Sequence, residues 1–288
     1  MNEEFIPLKI DTHRHIALWK MTGHSIDPRK QVLLTHGTFS NRKVLLGITD
    51  YLTKHGFTCW IFEWRNHGNS SRQTERFNFE TIAKEDFKLV FNYLFEKCGI
   101  QKINCITHSG GGICLTMALV HELKYQERIS SISLFGCQAF GAATSKMNYA
   151  KIYLAKQLSK VLGFVPARKV GGAENESYYF MKQWFNWNLT TEFRGTLGTN
   201  YRAKMKTIKV PILSICGSGD TFIAPPNACK KYLAAFENDN NEYLYCAKST
   251  GYAEDYTHGR IIHSSTASRE IYPAVLAWIT KNKDAKIA

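Results

Sequence analysis

An α/β architecture, with a mostly parallel central sheet flanked by helices and interrupted by one helical insertion, is predicted by three features of this sequence. Short apolar runs alternate with longer segments whose apolar residues recur at helical spacing, as in a doubly wound sheet. The apolar runs end in loops rich in His, Gly, Ser, Asn and Asp, and chemistry gathers at strand ends of that kind. Between 142 and 206 the alternation stops and helical patterns alone remain.

At 288 residues, 44% hydrophobic and 21% charged, the chain can bury a large core and gives no case for disorder. We expect one core domain built from 1–141 and 207–288, with 142–206 as a helical cap. The first strands are expected at Glu4–Asp11, His15–Met21 and Lys30–Thr35, the last running into His36-Gly37-Thr38-Phe39-Ser40-Asn41. Asn41 can cap the next helix, whose Val44, Leu45, Ile48, Tyr51 and Leu52 share a face and which Gly56 stops. Phe57–Trp64 is a nearly continuous apolar run, suited to an interior strand buried on both faces. A long helix is expected from about Asn78 to Cys98.

The stretch Ile103–Ile113 then compresses a strand, a serine and three glycines into eleven residues. A strand that reverses directly into a helix needs small residues at the turn, which Gly110, Gly111 and Gly112 supply. Ser109 is thereby held proud of the backbone, with the unpaired N–H groups of the helix N-terminus behind it. Further strands are expected at Ile129–Phe135, Val210–Cys216 and Tyr243–Ala247, with helices at Pro225–Phe236 and Ala267–Lys281 and no strand between 142 and 207.

Several functions are disfavoured by composition. The N-terminus begins acidic and lacks the basic-then-apolar order of a signal peptide, so a cytoplasmic protein is expected, with no transmembrane segment. The eight cysteines are scattered without a C-x-x-C pair and read as reduced, mostly buried thiols. A formal charge of +13 raises nucleic-acid binding, but no dense basic stripe or reading motif accompanies it, and no nucleic-acid partner is expected. The excess is concentrated in the insertion, where eleven lysines and arginines face only Glu174, Glu176 and Glu192. A solvated helix surface accounts for such a segment; steering of an anionic substrate and docking on an anionic membrane are the functional alternatives.

The strand ends supply one nucleophile, one carboxylate and one imidazole in chain order: Ser109, Asp220 in Gly217-Ser218-Gly219-Asp220, and His258 in Asp255-Tyr256-Thr257-His258-Gly259. His263 is an alternative base, and Asp255 and Asp239 are alternative acids. With His36-Gly37-Thr38, the elbow Thr107-His108-Ser109-Gly110-Gly111, and Trp64-Arg65-Asn66-His67-Gly68-Asn69-Ser70, these residues make the chain resemble the serine hydrolases of the α/β-hydrolase superfamily. Thr107 replaces the first elbow glycine and Asn66 a loop glycine; neither change removes a catalytic atom.

The resemblance implies Ser109 as nucleophile, His258 as general base and then acid, Asp220 as the group orienting the imidazole, and the N–H groups of Thr38 and Gly110 as oxyanion hole. Phe39, Tyr178, Trp184 and Trp187 are candidate lining of a substrate pocket under the cap; the alternative is that such rings simply pack the insertion. It further implies ester or lactone hydrolysis through an acyl-enzyme, with N-acyl-homoserine lactones among the candidate substrates. Thioesterase or acyltransferase activity, or non-catalytic binding, are the alternatives. No metal or cofactor is expected. The expected partner is a small-molecule ester or lactone, and a homodimer is an allowed state.

Overall fold

The computed structural model describes residues 1–282. β1 (Asn2–Lys9) and β2 (His15–Thr22) form an antiparallel hairpin. Its turn is closed by the Asp11 carboxylate, which accepts the backbone N–H groups of His13 and Arg14. β3 (Gln31–Thr35) is buried along its whole length. After it the Asn41 side chain accepts the Lys43 N–H and opens a 3₁₀ turn, Arg42–Leu45, that passes into α1 (Leu46–Lys54). β4 (Thr58–Glu63) is again buried throughout, the signature of a strand covered on both faces.

A long helix follows, in which α2 (Phe79–Thr81) and α3 (Phe87–Asn92) are joined and extended by π turns at Ile82–Asp86 and Tyr93–Lys97. Asn78 and Thr81 form a reciprocal capping box at its start. β5 (Ile103–His108), α4 (Gly110–His121) and β6 (Ile129–Phe135) complete the first half of the core, and α4 is buried from Gly110 to Val120.

The insertion carries α5 (Lys146–Leu162), β7 (Phe164–Val165), β8 (Glu176–Ser177), α6 (Tyr178–Thr190) and α7 (Tyr201–Lys204). β7 and β8 pair antiparallel, so the expectation of no strand between 142 and 207 is corrected. Two residues are too few to show the alternation that marks a strand; the pairing is set by Gly163, which ends α5 in the left-handed conformation at φ 78 and turns the chain.

β9 (Ile212–Gly217), α8 (Pro226–Ala234) and β10 (Glu242–Cys246) resume the alternation, followed by α9 (Arg260–His263), α10 (Ser265–Glu270) and α11 (Tyr272–Lys281). The single final helix expected over 267–281 is divided at Ile271. Pro273 lies in the first turn of α11 and has no N–H to continue the ladder from α10.

The main sheet runs β1-β2-β4-β3-β5-β6-β9-β10. β1 and β2 form its antiparallel edge, and from β4 to β10 every pair is parallel. Large buried clusters centred on Phe62, Phe87, Phe91 and Leu115 and on Leu34, Ile61, Ile215 and Trp278 pack its two faces. Parallel strands put their carboxyl ends on one rim. The loops carrying His36–Phe39, Arg65–Ser70, Ser109, Asp220 and His258 therefore share that rim. Among the described residues the cysteines form no disulfide, and seven of the eight are buried.

Candidate active site

β5 ends at His108 and α4 begins at Gly110, so Ser109 alone makes the reversal, at φ 52 and ψ −122. A residue with a Cβ holds that conformation only where its surroundings enforce it. Enforcement comes from both sides: Ser109 N–H donates to the Phe135 carbonyl at 2.8 Å, and the Gly112 N–H donates back to the Ser109 carbonyl at 3.0 Å. Gly111 is required, because a Cβ there would lie 2.6 Å from the His36 carbonyl oxygen. Although Ser109 stands at the N-cap position of α4, its hydroxyl makes no capping bond. It remains available for chemistry.

His258 Nδ1 donates to Asp220 Oδ2 at 2.5 Å. The other carboxylate oxygen, Oδ1, accepts the N–H groups of Ile223 and Ala224 at 3.0 and 3.1 Å. Burial pushes the Asp220 pKa up, but His258 and these two N–H donors outweigh it and hold it below the ordinary carboxylate value. Nδ1 carries the proton in this bond, so the lone pair of a neutral His258 is on Nε2.

His108 Nε2 donates to the His258 carbonyl at 2.9 Å, and the two rings lie 4.8 Å apart. Burial, with His258 beside it, pushes the His108 imidazole down to about 3, which leaves it neutral and acting as a strut for the His258 loop.

The alternative base and acids do not share the His258–Asp220 hydrogen bond. His263 is exposed at the end of α9. Asp255 is occupied by the Ser218 hydroxyl and the Lys248 N–H, and Asp239 sits in an exposed turn.

Thr38 and Gly110 are brought together: a Cβ on Gly110 would lie 3.2 Å from Thr38 Cγ2, 3.2 Å from the Trp64 ring and 3.3 Å from the Phe79 ring. Phe39 is half-buried and left-handed at φ 62. Its backbone is gripped by the insertion. The Phe39 N–H donates to Glu176 Oε1 at 3.2 Å, and its carbonyl accepts from Ala173 and Glu174 N–H at 2.8 and 3.1 Å.

Glu176 Oε1 also accepts from His67 Nε2 at 2.8 Å, while His67 Nδ1 donates to the Arg65 carbonyl at 2.9 Å. Both ring nitrogens of His67 face acceptors, as a charged imidazolium requires. Burial works against that charge, but Glu176 more than offsets it and raises the His67 pKa above the ordinary histidine value. His36 is the counterexample in the same loop cluster: burial first, and then His67, push it well below the ordinary value.

The β4 loop owes its path to two unusual backbones. Asn66 takes φ 61, a conformation asparagine tolerates better than other residues with a Cβ, which explains how it substitutes for glycine. Gly68 takes φ 50, and a Cβ there would sit 1.7 Å from Glu63 Oε1. The neighbouring Arg65 is held by buried Asp86, through Nε to Oδ1 at 2.8 Å.

Of the expected pocket residues, Trp187 meets Phe79 at 5.3 Å but packs also on Phe193 at 4.9 Å and gives its Nε1–H to the Arg194 carbonyl. Trp184 is buried against Phe185, and Tyr178 is half-buried at the start of α6. Phe180 reaches further toward the elbow, stacked on Phe79 at 4.2 Å and 6.1 Å from Trp64. Trp64, Phe79, Phe180, His67 and Glu176 are thus neighbours of the site that sequence reasoning did not assign to it. For Phe180 the only signal was membership of the aromatic run in α6.

An open groove of about 870 Å³, bordered by Gln31, Thr58 and Trp60, lies at the amino ends of β3 and β4, away from Ser109. Among the described residues no three His, Cys, Asp or Glu side chains converge as a metal ion would need.

Comparison with known proteins agrees with this architecture. The structure is similar to an esterase from Thermogutta terrifontis (15% identity, covering 98% of this chain and 100% of that one, TM-score 0.62). It is similar to a monoacylglycerol lipase from Paleococcus ferrophilus (16%, 94% and 100%, TM-score 0.65). It is also similar to a bromoperoxidase from Bacillus anthracis (17%, 97% and 100%, TM-score 0.60). At such identities the likeness concerns the fold; two of the three are named for ester hydrolysis and the third is not. No curated protein matches the sequence. A sequence model of the alpha/beta hydrolase fold matches residues 30–186, more than half of the chain, and the chain therefore belongs to the α/β-hydrolase fold family.

Proposed function

We propose that this chain is a serine hydrolase that cleaves carboxylic esters or lactones with an apolar acyl group. The observation that carries the reading is the Asp220–His258 hydrogen bond on the same rim as a serine that holds φ 52 with its hydroxyl uncommitted. Ser109 Oγ attacks the acyl carbon as His258 Nε2 takes its proton, and Asp220 keeps the imidazole in the tautomer that can accept it. The resulting oxyanion is met by the N–H groups of Thr38 and Gly110, each worth about a hundredfold to a thousandfold in rate. His258 then gives its proton to the departing alkoxide oxygen, leaving an acyl-Ser109 ester. Water, deprotonated by the same histidine, releases the acid and restores the serine.

Residues 142–206 act as the cap of this site. Its inner side brings Phe180 onto Phe79 and Trp64, three buried rings that make the ground under the cap apolar, in keeping with an acyl chain. It brings no unengaged carboxylate for a substrate amine, since Glu174 is bonded to Gly68 N–H and Arg168, and Glu176 to Phe39 and His67. That favours esters and lactones over peptides. The esterase and lipase among the structural relatives are in keeping with this substrate class.

A fluorophosphonate probe tests the nucleophile. Labelling of the native protein and none of Ser109→Ala is expected; equal labelling of both would end the assignment. An acyl-length series of esters beside N-acyl-homoserine lactones then reads the substrate class, and faster turnover of thioesters than of either would move it.

A further inference from the structure

The outer side of the insertion carries a second feature that hydrolysis does not use. α5 is a helix of 17 residues that turns Ile152, Ala155 and Ser159 toward the protein. At 3.6 residues per turn, Met147, Leu154, Leu158 and Val161 fall on the opposite side. They are 65%, 65%, 58% and 85% exposed. Single exposed aliphatics are ordinary on a protein surface, whereas a continuous stripe of them marks a docking face.

Charge says what docks there. Lys146 and Lys160, with half-exposed Tyr149 and Tyr153, flank the stripe on one side and Lys151 on the other. α5 contains no acidic residue. The insertion's three carboxylates are committed elsewhere: Glu174 and Glu176 are buried toward the core loops, and Glu192 pairs with Arg194. An aliphatic stripe bordered by lysines, with tyrosines among the lysines on one flank, is the arrangement of a helix lying in a lipid–water interface.

We propose that α5 docks this protein on an anionic lipid bilayer, lying in the membrane plane with Met147, Leu154, Leu158 and Val161 among the acyl chains and the lysines at the headgroup phosphates. The helix is about 25 Å long, short of the roughly 30 Å hydrocarbon core, and no helix among the described residues is long and apolar enough to cross a membrane. It lies on the bilayer and does not span it. A second copy of the chain fits less well, because a two-fold contact through α5 would set lysines against lysines. Nucleic acid would satisfy the lysines and leave the stripe in water.

Co-sedimentation of the full chain with extruded vesicles tests this. One set is pure phosphatidylcholine and the other has phosphatidylglycerol as a third of its lipid. Binding to the anionic set is expected, falling steeply from about 0.1 M to about 1 M salt as the screening length shortens from about 10 Å to about 3 Å. Lys151→Glu with Lys160→Glu should weaken it by at least about 25-fold, at about fivefold per lysine. Leu154→Ser with Val161→Ser should weaken it by about tenfold or more at unchanged charge.

Fluorophosphonate labelling of both variants checks that they remain folded. The proposal is overturned by equal or no binding to the two vesicle sets, by binding indifferent to both variants, or by a dimer in sedimentation equilibrium that Leu154→Ser with Val161→Ser dissolves. Because binding is read without turnover, loss of vesicle binding with intact labelling defeats the docking surface alone. Loss of labelling with intact vesicle binding defeats the hydrolase reading alone.

Discussion

The strand-end loops and the outer face of the insertion treat the same kinds of residue in opposite ways. Around Ser109 buried carboxylates are held at short range by named partners: Asp220 by His258, Glu176 by His67, Asp86 by Arg65. Left-handed backbones at Phe39, Asn66 and Ser109 are each pinned by neighbours. On α5, by contrast, lysines and aliphatics point outward from a regular helix capped by Ser145 and ended by Gly163. Positioning a reacting atom requires conformations the chain would not adopt unaided, so they must be over-determined by packing. Adhesion to a surface requires only the right composition on one face. The loops should therefore be intolerant of single substitutions, and α5 tolerant of them in everything except docking.

The largest effect should fall on the chemistry. Ser109→Ala and Asp220→Asn are each expected to lower kcat on a soluble ester by about 10⁴-fold or more with little change in folding; a loss under tenfold for Asp220→Asn would remove it from the mechanism. His258→Ala should match them. His263→Ala should retain nearly full activity, and the reverse pair of results would exchange the two histidines.

Next comes the contact between the loops and the inner side of the insertion. Glu176→Ala strands the buried His67 proton and frees the Phe39 N–H, so a loss of about 3 kcal/mol in denaturant unfolding is expected, with kcat reduced more than KM is raised. Glu176→Gln, which can still accept from Phe39, should recover most of the turnover. Gly68→Ala should cost about as much, roughly 3 kcal/mol, because it combines an unfavourable φ with a Cβ inside the Glu63 carboxylate.

The smallest effect is a pH dependence. His67 is raised above its ordinary 6.5 in the folded state. The stability it contributes is therefore fully present below about pH 6.5, and it is lost as pH rises through the folded value. Melting temperature followed from pH 6 upward should show that decline in the native chain and not in Glu176→Gln; identical profiles would mean that His67 is not the charged partner.

Much of this was legible in the chain itself. Apolar runs of five to eight residues gave strands where burial on both faces leaves no alternative, and Asn41, Asn78 and Gly56 marked helix ends by local hydrogen bonding and φ. Ser109, Asp220 and His258 stood out because each follows a strand of one parallel sheet, so their convergence on one rim follows from topology. The division of the last helix at Pro273 was legible in principle, since it rests on one residue's missing N–H.

What only the tertiary structure decided involves partners far apart in the chain. Glu176 meets Phe39 and His67 across more than a hundred positions, and Phe180 meets Phe79 across a similar span. Such contacts leave no local periodicity to read. The same holds for charge. Counted along the chain, Glu174 and Glu176 subtract from the insertion's positive charge; folded, they are buried on its inner side, and the outer face is left basic beside an apolar stripe. Sequence determines which groups exist and which elements carry them, because helix and strand propensities act over a few residues. Only the packing of those elements decides which charges are neutralised and which face water.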